Sequence, residues 1–222
     1  MNINKNMNKN RIENLSDGVF AIIMTILVIE FKVPKLSTEA LTNSTLLFHE
    51  LSKLFPLFFS YSISFAMLAM YWIGHHNLFH LFTKNINRLL MEMNVLFLML
   101  VGLLPFMSHL LGEYRYNQGA VQLYSLSIIL IGLCMHMMYH YAHVSNEIDN
   151  HEVDELTVRK IKIRIWLPII SSFLSLAVSF FNLDVSFLLL FAPVFFNIFP
   201  GTLSFLEGKI SENNVASSSE IV

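Results

Sequence analysis

Charge is scarce in this sequence of 222 residues: 14 Lys+Arg and 16 Asp+Glu make up 14% of it, while 55% is hydrophobic. Average soluble domains carry roughly a quarter charged residues, so a soluble fold of this size would lack the polar groups to cover its surface. The composition therefore points to a membrane protein. A net charge of -2 excludes a polybasic nucleic-acid binder, because counterion release needs a concentrated cationic surface. Cysteine is nearly absent. The lone Cys134 excludes an intrachain disulfide and leaves a thiolate zinc site without a second thiolate. Neither a phosphate-binding glycine loop nor a nucleophile–base pair stands in the chain, so no enzymatic activity is read from it.

What the sequence does have is long apolar runs. A helix of about 20 apolar residues crosses a bilayer core, and six such runs fill the chain. They cover Leu15 to Phe31, Leu54 to Ile73, Leu89 to Leu111, Val121 to His143, Ile165 to Phe181 and Val185 to Leu206. The expected fold class is all-α, a polytopic membrane protein with six transmembrane helices per subunit. Residues 1–208 form one domain, followed by a short disordered tail at 209–222 containing Ser217, Ser218 and Ser219. Lys5, Lys9 and Arg11 before the apolar run from Val19 to Ile29 suggest a signal peptide. Asp17 interrupts that run and no small-x-small cleavage site follows, which favours a retained span.

Basic residues orient the spans. Ten of the 14 Lys+Arg fall in the N-terminal segment, the second and fourth loops and the tail; the other side holds Lys32, Lys35, Lys53 and Arg115. By the positive-inside rule both termini are cytoplasmic. The start of helix 1 and the end of helix 2 then share one membrane face.

Polar residues gather at those two places. Ser16 and Asp17 sit just inside the first apolar run, with Arg11 shortly before them. An Asp near a helix N-terminus caps free amides and gains from the dipole; an ionisable residue within a span is otherwise a functional candidate that needs a partner. The end of helix 2, YWIGHHNLFHLF, offers Trp72, His75 and His76 as N–H donors. Taken alone, these are ordinary interfacial residues. Along helix 1, Gly18, Ile22, Thr25 and Ile29 recur at i, i+4, i+7 and i+11 and line one face. Asp17, Ala21, Met24 and Val28 lie about 100° away, a stripe that Asp17 could anchor to neighbouring helices. An apolar stripe of this kind ordinarily meets lipid or packs in a bundle, and periodicity alone does not choose between those and a pore.

The pattern Arg-x-x-x-Phe-Ser-Asp at the start of a first span, with Trp-x-x-His-His at the end of the second, resembles the transmembrane protein 175 family, in its bacterial potassium-channel branch. Here the elements are Arg11, Leu15, Ser16, Asp17 and Trp72, His75, His76. Leu15 stands where the family usually has Phe, which removes an aromatic contact and no hydrogen-bonding group. The resemblance implies a homotetramer of six-helix subunits around a central cation pathway lined by helix 1. The family's pore-facing positions, counted from Asp17, are Ile22, Thr25 and Ile29, the stripe found by periodicity.

The function expected is a potassium-permeable cation channel with modest K+ over Na+ selectivity in a bacterial plasma membrane. No cofactor is expected beyond permeant K+; the partners are further copies of the chain, the lipid bilayer and monovalent cations. The chain has no TVGYG-type segment, so a filter of stacked carbonyls is not expected. Ile22 and Ile29 are expected to form an apolar constriction, with Thr25 hydroxyls replacing part of the ion's hydration. Arg11, Ser16, Asp17, Trp72, His75 and His76 are assigned to a structural polar network. Two other readings compete. A proton-coupled secondary transporter would use Asp17 and histidines, but the paired broken helices of such folds are not evident. A metal-handling protein would use His136, His140 and His143, which share a face at i, i+4 and i+7 but sit among Tyr139 and Tyr141 in an interfacial zone. His151, Asp149, Glu152 and Asp154 read as a solvated connector.

Overall fold

Long uninterrupted apolar runs leave the backbone no partner but itself in hydrocarbon, so helices are the expected solution. A computed structural model describes residues 9–29, 31–34, 43–145, 147–148 and 154–198 of the chain, and the secondary structure among them is entirely helical. The first span is α1, Lys9–Ile29, which begins earlier than its apolar run because the helix continues through the polar Lys9 to Asn14 stretch. A short helix α2, Ser44–Ser52, buries no residue and is capped by Asn43, whose side chain accepts from Thr45 N at 2.9 Å. The second span is α3, Phe55–Asn77, extended by a π-helical turn over Leu78–Phe82.

The third run, expected as one helix, is two: α4, Arg88–Gly102, and α5, Leu104–Glu113. The break falls at Leu103, two residues before Pro105, whose ring removes an N–H and disfavours a helical residue before it. Together they still form an apolar stretch long enough to cross a membrane. Two long helices follow, α6, Gln118–Val144, and α7, Glu155–Val178, the latter capped by Asp154, which accepts from Thr157 N at 3.0 Å.

The sixth run differs most from expectation. It consists of two short helices, α8, Leu183–Leu189, and α9, Ala192–Ile198, broken just ahead of Pro193. Among the described residues five helical stretches, not six, have the length and hydropathy of a span. The remainder of the run to Leu206, the 209–222 tail, and His151, Asp149 and Glu152 lie outside the described residues.

Helix α6 is the centre of the bundle. It packs against α4, α5, α7 and α8, and polar side chains tie it to its neighbours. Tyr124 Oη and Ser64 Oγ are 2.9 Å apart, and Tyr71 Oη donates to Ile128 O at 3.0 Å. Between α6, α7 and α8 runs a ladder of buried serines: Ser125 Oγ to Ser175 Oγ at 3.2 Å, and Ser175 Oγ to Ser186 Oγ at 2.9 Å. Without a hydrophobic force between helices in lipid, small residues and hydroxyl pairs of this kind hold helices close. Gly132 illustrates the closeness, since a Cβ there would stand 2.5 Å from Ile169 Cγ1.

Candidate functional site

Helix α1 has two unlike faces. Ile12, Ser16, Phe20, Ile23 and Leu27 are buried against α3, α4 and α5. Their spacing, i, i+4, i+8, i+11 and i+15, is one helical stripe. On the other side Gly18, Ile22, Thr25 and Ile29 are all exposed, with Ile22 at 59% and Ile29 at 70% of their full accessibility. The subunit thus leaves uncovered the stripe singled out by periodicity. The second stripe is tied to the neighbouring helix through Asp17, which accepts from Trp72 Nε1, and is otherwise little covered. Asp17, Ala21 and Val28 are exposed and Met24 is half-buried, so packing is carried by the Ser16–Phe20–Ile23–Leu27 stripe. The reason is volume: Phe20, Ile23 and Leu27 offer α3, α4 and α5 more apolar bulk to pack against than Asp17 and Ala21 can.

Beneath α1 lies a directional chain of hydrogen bonds. His75 on α3 and Asn94 on α4 meet at 2.8 Å between Nε2 and Oδ1. The amide oxygen can only accept, so the imidazole donates from Nε2. Asn94 Nδ2 donates to Ser16 Oγ at 3.1 Å, and Ser16 Oγ donates to Ile12 O at 2.9 Å. Ser16, His75 and Asn94 are all essentially inaccessible. The imidazole is enclosed by rings, stacked on Phe97 at 5.7 Å and flanked by Phe79 at 4.6 Å and Phe20 at 6.1 Å. Three helices are therefore pinned by groups that each satisfy the next, which in a low-dielectric interior specifies one arrangement.

A second tie lies at the edge of α1. Trp72 Nε1 donates to Asp17 Oδ1 at 2.8 Å, and Lys9 Nζ donates to Thr83 O at 2.8 Å. The start of α1 and the end of the second span are thus together, as the basic-residue topology requires. Arg11 and His76 are exposed and make no hydrogen bond within the described residues; His76 stacks instead on His80 at 5.4 Å and tilts over Trp72 at 6.4 Å. Asn94 is the network member that sequence reasoning missed. The available signal was an amide isolated in an otherwise apolar span, a residue that needs a partner at that depth.

Of the three histidines of α6, His136 and His140 are neighbours with ring centroids 6.4 Å apart, but the three do not converge on one point. His136 faces Trp166 at 4.8 Å, whereas His143 stacks on Tyr139 at 6.2 Å. Among the described residues no group of three His, Cys, Asp or Glu is placed to hold a metal ion.

Comparison with known proteins follows the same division of the chain. Residues 11–105 match the family model described as endosomal/lysosomal potassium channel TMEM175. The chain is 31% identical to a potassium channel of Streptomyces collinus over 158 residues, covering 69% of this chain and 74% of that one. It is also 31% identical to a potassium channel of a Chryseobacterium species, covering 79% and 84%. This chain belongs to the TMEM175 family. Its fold is similar to the crystal structure of a lysosomal potassium-selective channel TMEM175 homolog from Chamaesiphon minutus, with a TM-score of 0.71 at 28% identity, over 85% of this chain and 95% of that one. These relatives are ion channels, not enzymes, and with its apolar helices this TMEM175 member is a multi-pass membrane protein. Ser16, Asp17, Trp72, His75 and Asn94 all lie inside the family-matched stretch, while His136, His140 and His143 lie outside it.

Proposed function

We propose that this TMEM175 member is a potassium-permeable cation channel in which four subunits bring their α1 helices around a central pore. The observation that carries the reading is the uncovered Gly18–Ile22–Thr25–Ile29 face of α1, beside an opposite face buried over five residues. An apolar stripe left bare by its own subunit, on a helix pinned by a buried polar chain, is suited to meeting its copies around an axis. In this reading the sixth pass is made by α8, α9 and the residues that follow to Leu206. The domain spans 1–208, and both termini are cytoplasmic in a bacterial plasma membrane.

Rings of Ile22 and Ile29, about 10 Å apart along the helix at 1.5 Å per residue, form a constriction that stays dry while narrow. Thr25 lies between them. Its Oγ1 donates to Ile22 O at 2.7 Å, so the hydroxyl's proton is committed to the backbone and its lone pairs are what remain for a cation. Potassium surrenders water more readily than sodium, and a ring of such oxygens gives modest preference for it. Ser16, His75 and Asn94, with Asp17 and Trp72, hold α1 in place without touching the ion; Arg11 and His76 flank them at the same end.

Reconstituted into liposomes, the protein is expected to pass K+ faster than Na+, and cross-linking in detergent is expected to give a ladder ending at four subunits. Exchange of Ile22 for Asn wets the constriction and raises the flux at unchanged oligomer size. An unaltered flux in that variant removes Ile22 from the gate, and a ladder stopping at two removes the four-fold pore.

A further inference from the structure

On the side of the bundle away from α1, the face Ala66, Met70, Ile73 and Asn77 of α3 forms one wall of a groove of about 320 Å³, closed by Met135 of α6, Pro168 of α7 and Val194 of α9. The volume is within the roughly 300–1,000 Å³ of small-molecule sites. Those four α3 positions recur at i, i+4, i+7 and i+11, one continuous helix face. From Ala66 to Asn77 the helix rises about 16 Å, close to half of a hydrocarbon core of about 30 Å. The groove is therefore one leaflet deep. Its lining is apolar along that length apart from Tyr71, whose hydroxyl is spent on Ile128 O at 3.0 Å, and from Asn77 and Arg164, which both border it.

The Asn77 end of that face is chemically distinct. Arg164 is exposed, and neither its guanidinium nor the Asn77 amide has a hydrogen-bond or ion-pair partner within the described residues. Pro168, one turn further along α7, has no N–H, so the Arg164 carbonyl also lacks its helical donor. Arg159, Lys160 and Lys162 precede Arg164 on the same helix, with the acids of that segment, Asp154 and Glu155, confined to its start. Both loops at this end, 83–87 and 145–154, join helix ends on the side where the basic residues concentrate. An apolar channel one leaflet deep that ends on an unpaired guanidinium, an amide and a basic helix turn is complementary to an amphiphile with a negative head.

We infer that the groove between α3, α6, α7 and α9 is a binding site for an anionic phospholipid, one acyl chain lying along Ala66 to Ile73 and the phosphate held by Arg164 and Asn77. Basic pockets between transmembrane helices on the cytoplasmic side take such headgroups, and Arg suits them because its planar donors match phosphate oxygens in pairs. The inference requires that the chain span a membrane. It does not require that the chain conduct, so its failure and that of the channel reading are separable.

The test is native mass spectrometry of the intact oligomer in detergent, titrated with phosphatidylglycerol or with phosphatidylcholine of the same chains. Wild type is expected to bind phosphatidylglycerol about fivefold more tightly, the worth of one basic side chain at a membrane surface. Arg164→Gln is expected to abolish that preference, and Arg164→Lys to keep most of it. Ala69→Phe, which fills the groove, is expected to weaken both lipids together. Elution volume and thermal unfolding of each variant show that it is folded. Equal binding of the two lipids by wild type, or a preference that survives Arg164→Gln in folded protein, overturns the site. So does failure of wild type to take either lipid, the result if a second copy or the chain's own residues beyond 198 fill the groove. Displacement of the lipid by soluble glycerol phosphate at similar concentration also overturns it, since the apolar groove would then contribute nothing.

Discussion

Helices α1 and α6 are almost equally apolar, with mean hydropathies of 1.8 and 1.7 over their most apolar windows, yet 61% of that window is buried in α6 and only 28% in α1. Hydropathy therefore says that each crosses the membrane and nothing about what each faces. The difference lies in how the polar groups are distributed. Helix α6 turns Tyr124 toward α3 and Ser125 and Gly132 toward α7, which fixes it from two sides. Helix α1 places its buried hydroxyl, Ser16, on one stripe only, and the opposite stripe is left for something outside the subunit. The scaffold is built around one helix, and the other is the one proposed to carry the function.

That contrast can be broken most forcefully at Gly132. Gly132→Leu drives a side chain into Ile169 and is expected to cost about 3 kcal/mol, or to prevent folding, read as the thermal midpoint of purified protein; an unshifted midpoint means α6 is not the tightly packed centre. Next is Asn94→Leu, which leaves Ser16 and His75 without their shared partner and is expected to cost about 2 kcal/mol by the same measurement. Asp17→Asn keeps an oxygen for Trp72 but loses the charge on the acceptor, and a loss of about 0.5–1 kcal/mol is expected, with the K+ to Na+ flux ratio unchanged; a changed ratio would put Asp17 in the ion path. On the bare face, Ile22→Asn is expected to leave subunit stability within about 0.5 kcal/mol while altering flux, the reverse of the α6 result.

The smallest effect belongs to Asp154, which stands at the start of α7 outside the spans. Hydrogen bonds from the Thr157 side chain and backbone hold its carboxyl below the ordinary aspartate range. A lowered value in the folded state means that its contribution is complete above the ordinary range and disappears as pH falls through the lowered one. Asp154→Asn is therefore expected to flatten the acid limb of the stability profile slightly, without moving the midpoint at neutral pH as far as Asn94→Leu does.

Much of this was legible in the linear chain. Scarce charge and long apolar runs give the helical membrane architecture, and a 3.6-residue period selects Gly18, Ile22, Thr25 and Ile29 as one face of α1. Ser16, Asp17, Trp72 and His75 stood out because polar groups within apolar runs demand partners. The breaks at Leu103 and ahead of Pro193 were less visible, since a proline in an apolar run marks either a kink or a helix start and only packing decides which. Asn94 was passed over because it is a single neutral residue with no motif around it; its importance arises from lying opposite His75 and Ser16, separated by 19 and 78 residues in sequence.

The linear order of residues determined that the chain must bury its backbone as helices in a bilayer, because apolar side chains leave N–H and C=O groups no other partner there. It also determined which residues share a helix face, because that follows from helical pitch. Only the folded arrangement decided which face of α1 is covered, because coverage depends on whether Phe20, Ile23 and Leu27 fit the surface offered by α3, α4 and α5. It likewise decided that Arg164 and Asn77 would border the same apolar groove, a juxtaposition set by the packing of α7 on α3 and by nothing local to either residue.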